Sequence, residues 1–181
     1  REITAAIQDE KLKGHRGYFA LWERIVNESK KDLKKSYDAL GVSFELWRGE
    51  STCFKSIPKL LEILQKQNLI KVSEGATIMD VREESDKKEL PPLILKTQSG
   101  SFGYQTTDLA TIYERMEEFD PDEIWYVVDA RQEMHFIQCF RAARKANIIN
   151  QDTKLEFIGF GTMNGKDGKP FKTRDGGVMR L

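Results

Sequence analysis

The run Ile124-Trp125-Tyr126-Val127-Val128 constrains the fold more than any other part of the chain. Five apolar, β-prone residues in a row are consistent with a parallel strand buried on both faces. Asp129 marks its carboxyl end. Both flanks are helical in pattern. Upstream, a helix starts at Thr106 or Thr107 and runs to Phe119, with Leu109, Ile112, Met116 and Phe119 on one face and Pro121 to stop it. Downstream, residues 132–146 carry Phe136, Phe140 and Ala143 on an inner side, and residues 155–160 read as a second strand. Helix, strand, helix, strand is the rhythm of a doubly wound α/β domain. Ligands of such sheets bind beyond the carboxyl ends of the strands, which directs attention to residues 129–132.

The first half of the chain has a different pattern. Residues 18–26 place Phe19, Trp22, Ile25 and Val26 at helical spacing. Ser29 is placed to cap a second helix over residues 30–40, with Leu33, Tyr37 and Leu40 inward and Gly41 ending it. Residues 42–47 alternate like a short strand. Residues 57–67 form an amphipathic helix with Leu60, Leu61 and Leu64 inward. Residues 69–72, 77–79 and 93–96 read as short strands, separated by turns at Glu74-Gly75 and Ser99-Gly100. The charged stretch 82–90 reads as an exposed loop.

Composition bounds the function. With 39% hydrophobic and 32% charged residues, the 181-residue chain has the makings of a soluble globular core. No apolar run approaches the roughly 20 residues that cross a bilayer, and the start of the chain has no signal-peptide pattern. Its 29 basic and 29 acidic residues cancel, so the chain as a whole carries no electrostatic signature of nucleic-acid binding. Lys30, Lys31, Lys34 and Lys35 read as the solvated back of their helix. Cys53 and Cys139 lie in no CxxC and near no His pair, so they read as reduced thiols, and no metal site is expected.

Three clusters can carry chemistry. In residues 104–108 (YQTTD), Asp108 falls in the first turn of a helix. There it either complements the helix dipole or stands at a pocket rim to pair with a ligand cation, with Tyr104 as a ring wall or hydroxyl. In residues 129–136 (DARQEMHF), Gln132 and His135 share one face at a helix N-terminus that offers N–H groups to an anion or a ribose. In residues 165–177 (GKDGKPFKTRDGG), four cations and four glycines can wrap a triphosphate, or form a solvated hairpin. The loop matches no Walker A pattern.

Residues 37–44 (YDALGVSF), 49–51 (GES), 74–77 (EGAT), 104–110 (YQTTDLA), 126–132 (YVVDARQ) and 160–176 (FGTMNGKDGKPFKTRDG), in this order and spacing, resemble the arginyl-tRNA synthetases, and the likeness covers most of the chain. The resemblance implies an α/β fold. Residues 1–98 would be a connecting α+β insertion region of the catalytic domain. Residues 99–181 would be the second half of a class I, Rossmann-like nucleotide fold, ending in a KMSKS-like loop. It implies an ATP-dependent arginine–tRNA ligase whose partners are L-arginine, ATP with Mg2+, and tRNA(Arg). The enzyme would be cytoplasmic and, at full length, monomeric, with no tightly bound cofactor and no membrane contact.

The resemblance also assigns roles. Tyr104, Asp108 and Gln132 match arginine-binding residues, and Glu50 is a second acidic contact. A guanidinium fork suits a carboxylate, and an apolar amino acid would leave that carboxylate unpaired. His135, Phe160 and Gly161 match the adenosine site, with Lys172 on the ATP phosphates. The loop cations Lys169, Lys172 and Arg174 would stabilise the reacting phosphates. Thr173 stands where the usual second lysine of the signature stands, which leaves open which of these cations serves. No HIGH-like motif occurs, because His15 and His135 lack its context. The chain is therefore expected to be an internal fragment that is inactive alone. A competing reading is a stand-alone RNA-binding or regulatory α/β domain without catalysis, supported by the basic loop and the 30–35 lysines.

Overall fold

The computed structural model describes residues 16–87, 89–162 and 164. They fall into two compact units, one ending at Gly49 and the other starting at Glu50.

In the first unit a single helix, α1 (Arg16–Ala39), replaces the two expected helices. Ser29 does not interrupt it, since no glycine or proline lies between Gly17 and Ala39 to break the hydrogen-bond ladder. Ion pairs one turn apart, Lys31 with Glu28 at 2.8 Å and Lys34 with Asp38 at 2.6 Å, line its solvated side. Gly41, at φ +69°, ends it as expected. The Val42 N–H donates to Tyr37 O at 2.9 Å and the Gly41 N–H to Asp38 O at 3.1 Å, a Schellman-type closure. Residues 42–47 form no strand. Their alternation instead serves an aromatic cluster, with Phe44 and Trp47 edge-on to Tyr37 at 4.8 and 5.7 Å.

The second unit begins with a 3-10 segment (Glu50–Ser56) that leads into α2 (Ile57–Lys66). A three-stranded antiparallel sheet follows: β1 (Ile70–Ser73), β2 (Ala76–Met79) and β3 (Leu93–Lys96). Glu74 (φ 48°) and Gly75 (φ 76°) form the two-residue β1–β2 turn, and two positive φ values in a row are the signature of a type I′ hairpin. Then come α3 (Tyr104–Phe119), β4 (Glu123–Asp129), a short 3-10 turn (Ala130–Gln132), α4 (Glu133–Lys145) and β5 (Lys154–Phe160). β4 and β5 pair in parallel, with Asp129 opposite Phe160 at their carboxyl ends. This is the expected βαβ rhythm.

The core joins α2, the antiparallel sheet, α3 and α4 through side chains such as Leu60, Leu64, Met79, Leu95, Leu109 and Ala142, all fully buried. Three expectations change here. Gly103, not a threonine, stands before the first turn of α3. Thr106 and Thr107 lie inside that turn, buried, and their hydroxyls serve tertiary contacts: Thr106 to Leu95 O of β3, Thr107 to Glu50 Oε1 at 3.1 Å. β4 is covered on one face only. Ile124 and Tyr126 are buried while Trp125 and Val127 are exposed. Phe119 is exposed too, one residue before Asp120 turns the chain at φ 41°. The charged stretch 82–90 is mostly exposed, yet Leu90 is buried and Asp86 is held by Arg141.

Candidate functional site

A cavity of about 760 Å³ opens in the second unit, lined by Ile94, Thr97, Gly103, Tyr104, Gln105, Arg131, Gln132 and His135. Several elements build it. The solvent-side residue of β3, Ile94, supplies one wall, because its strand neighbours Leu93 and Leu95 point into the core. The start of α3 supplies Tyr104 and Gln105, the turn after β4 supplies Arg131 and Gln132, and the first turn of α4 supplies His135. The cavity therefore lies at the carboxyl end of a parallel strand, where α/β sheets bind ligands.

Tyr104 and Gln132 both face this cavity, Tyr104 as a largely exposed rim residue. The Gln132 side chain makes no cap bond to α4. Asp108 lies one turn beyond Tyr104 on the same side of α3. It is not part of the cavity wall but sits behind His135, whose Nε2 is 2.6 Å from Asp108 Oδ2. The two side chains are mostly shielded, at 19% exposure for His135 and 31% for Asp108. Among the described residues, this is the one hydrogen bond that reaches the Asp108 carboxylate.

Glu50 is placed apart from the cavity, packed on the first turn of α3 through Thr107. Phe160 ends β5 opposite Asp129 and Gly161 follows it, and both are exposed. Lys169, Lys172 and Arg174 lie outside the described residues.

The structure also brings in residues that no sequence pattern singled out. Gln105 closes the cavity floor. Its Oε1 accepts the Ile94 N–H at 2.9 Å, and its amide nitrogen donates to Gln138 Oε1 at 3.3 Å. Gln138, buried on α4, donates in turn to Pro91 O at 2.6 Å. A chain of amides thus ties β3, α3 and α4 together under the site. The apolar run Leu93-Ile94-Leu95 gives no sign in the sequence that Ile94 is the solvent-side residue.

Arg131 at the rim is neutralised at home. Asp129 accepts its Nε at 2.9 Å, its Nη2 at 2.7 Å and its backbone N–H at 2.9 Å. These bonds hold the Asp129 carboxyl down at about 2 and keep it ionised. Cys139 Sγ lies 3.8 Å from His135 Nε2, completing an Asp–His–Cys line. It is no nucleophile constellation. Cys139 is fully buried, and burial followed by the nearby Asp108 charge pushes its thiol far up. Among the described residues, no group of three or more His, Cys, Asp or Glu side chains could hold a metal ion, and no helix is long and apolar enough to cross a membrane.

The family model for the catalytic domain of class I tRNA synthetases of the arginine type matches residues 6–181. The arginine–tRNA ligase of Alkaliphilus oremlandii is 55% identical over 181 residues, all of this chain and 30% of its own length. That of Francisella tularensis subsp. novicida is 46% identical over 172 residues, 95% of this chain and 29% of its own. The chain thus spans about 30% of the length of these relatives. Among solved structures, the arginyl-tRNA synthetase of Plasmodium falciparum superposes with a TM-score of 0.70 at 29% identity, over 85% of this chain and 25% of that one. The Thermus thermophilus enzyme gives 0.65 over 87% of this chain and 34% of its own, and at 17% identity it speaks for the fold alone. On these matches the chain belongs to the class I arginyl-tRNA synthetase family, within the catalytic domain.

Proposed function

We propose that the chain is part of an arginine–tRNA ligase that activates L-arginine with ATP and transfers it to tRNA(Arg). The observation that carries this reading is the cavity between Tyr104, Gln132 and His135, with the Asp108 carboxylate behind it, in a chain of this family. A guanidinium needs an ionised acceptor in a shielded place. Asp108 Oδ1 receives no hydrogen bond from the described residues and is free to accept one. Tyr104 supplies a ring or hydroxyl at the rim and Gln132 an amide, while Glu50 is proposed as a second carboxylate from its place on Thr107, outside the cavity wall.

ATP would lie across the carboxyl ends of β4 and β5, with adenosine near Phe160 and Gly161 and its phosphates toward Lys172. The arginine carboxylate attacks the α-phosphorus, the bond to the β-phosphate oxygen breaks, and diphosphate leaves. Lys169, Lys172 and Arg174 are the cations proposed to meet the charge that builds on the phosphates. Mg2+ enters with ATP as its substrate complex. The adenylate then passes its arginyl group to the tRNA.

In this reading residues 1–98 are the connecting insertion and residues 99–181 the second half of the nucleotide fold. The enzyme is cytoplasmic, monomeric at full length, and inactive as this segment alone. The test is Asp108→Ala in the full-length protein that carries the segment. Arginine-dependent ATP–diphosphate exchange, with tRNA supplied, should fall by at least about 100-fold, with the circular dichroism melt unchanged. Wild-type exchange in the variant would overturn the reading.

A further inference from the structure

We infer that His135 is a positioning residue for the arginine site, acting through Asp108; the inference rests on the reading of Asp108 above. An ionised carboxylate can only accept, so the imidazole nitrogen that faces it carries the proton. That nitrogen is Nε2, 2.6 Å from Asp108 Oδ2. The ring cannot easily swing away. Phe136 meets it edge-on at 4.9 Å, and Cys139 Sγ stands 3.8 Å from the same Nε2.

The consequence falls on Asp108. An aspartate has a short side chain with a loosely defined terminal torsion, and on its own it would turn toward water. Held at Oδ2, its carboxylate plane is fixed and Oδ1 stays open. Each carboxylate oxygen has two lone pairs, so the His135 bond still leaves room for a guanidinium fork. Orienting one ligand-binding side chain by a second is a familiar economy of binding sites. A separation of twenty-seven positions hides the pairing from the sequence.

The contact also separates two roles for His135. As an adenosine contact, its loss would weaken ATP. As the holder of Asp108, its loss would weaken arginine while ATP is spared. The experiment measures KM for arginine and KM for ATP separately, in the full-length protein that carries this segment, for His135→Ala, His135→Asn, His135→Gln and Asp108→Ala. A glutamine can bring its amide nitrogen to where Nε2 stands, and an asparagine is too short to do so.

The expected pattern is a rise of about tenfold or more in KM for arginine for the Ala and Asn variants. KM for ATP should stay within about twofold, and the Gln variant should recover most of the loss. An unchanged KM for arginine in His135→Ala, a rise in KM for ATP alone, or a Gln variant no better than Asn would each overturn the inference. If His135→Ala melts below the assay temperature, the Gln and Asn pair decides alone. Asp108→Ala distinguishes the two levels. Should it leave arginine untouched, the arginine-site reading itself falls. Should it abolish arginine use while His135→Ala does not, only the positioning role falls.

Discussion

Arg141 on α4 places Nη1 and Nη2 each 2.7 Å from an oxygen of Asp86, a two-point fork between the helix and the charged stretch before Leu90. Both side chains are largely shielded, at 22% and 18% exposure. The guanidinium, together with the Glu83 N–H, holds the Asp86 carboxyl down at about 2. An ordinary aspartate titrates near 4. The folded value is depressed, so the pair contributes fully above about pH 4, and its contribution fades as the pH drops toward 2. Asp86→Asn should lower the melting temperature by a few degrees at pH 7, and the gap to wild type should narrow below pH 4 and close only below about pH 2. A gap that persists there would show that the fork is not its source.

Tyr126 offers the opposite case. Its hydroxyl is buried and has no hydrogen-bond partner among the described residues. Burial pushes the phenol well above its usual range. The ring itself is well used, packed on Phe136 at 4.6 Å and under the Arg115 guanidinium at 5.1 Å. Tyr126→Phe keeps the ring and removes the orphan oxygen, so it should stabilise the fold by about 1 kcal/mol. Urea melts would read this as a higher midpoint with an unchanged slope. A lower midpoint would mean that the hydroxyl has a partner after all.

Gly159, opposite Val128 in the parallel ladder, has no room for a side chain. An added Cβ would stand 2.9 Å from Phe157 Cε1 and 3.1 Å from the Ala130 Cα. The Ala130 neighbour is backbone, in the turn that carries Arg131 and Gln132, and cannot move aside cheaply. Gly159→Ala should cost about 1–3 kcal/mol and should also displace the turn at the cavity. Comparing its denaturant midpoint with wild type checks the first part, and chemical shifts of the Arg131 and Gln132 amides check the second.

The amide chain under the cavity is exposed to a single substitution. Gln138→Leu would leave Pro91 O and the Gln105 amide nitrogen without partners, at a cost of about 1–3 kcal/mol. Gln105 would then hold the Ile94 N–H less firmly. Hydrogen exchange at Ile94 should quicken more than at Leu95, and equal protection at both would show that the chain of amides does not brace the strand.

The second half of the molecule was the more readable half, for a physical reason. Residues 93–96, the Glu74-Gly75 turn and the βαβ rhythm rest on local rules of strand-forming composition, turn residues and apolar spacing, and each was found where expected. Local rules misled where two of them competed. Ser29 is a good cap but a tolerable helix residue, and α1 runs straight through it. Thr106 and Thr107 are good caps too, but their hydroxyls reach Leu95 O and Glu50, partners set by tertiary packing. The apolar run at Ile124 declares a strand without saying how many of its faces are covered, and here it is one. At the site, Tyr104 and Gln132 were grouped only through the family resemblance, with His135 assigned to adenosine, and the structure puts all three on one cavity. The Asp108–His135 bond and the Gln105–Gln138 link were not legible, since each joins residues about thirty positions apart through the packing of α3 on α4.

β3 gives one strand two masters. Leu93 and Leu95 fill the core while Ile94 between them faces the cavity. A slip of one position would exchange the two sets, sending core leucines into the cavity and the cavity wall into the interior. The shift in pairing between Thr77 and Ile78 on β2 sets which arrangement is obtained. Misfolding and loss of the cavity wall are consequently a single error here, and any pressure that keeps the protein stable also keeps Ile94 facing the cavity.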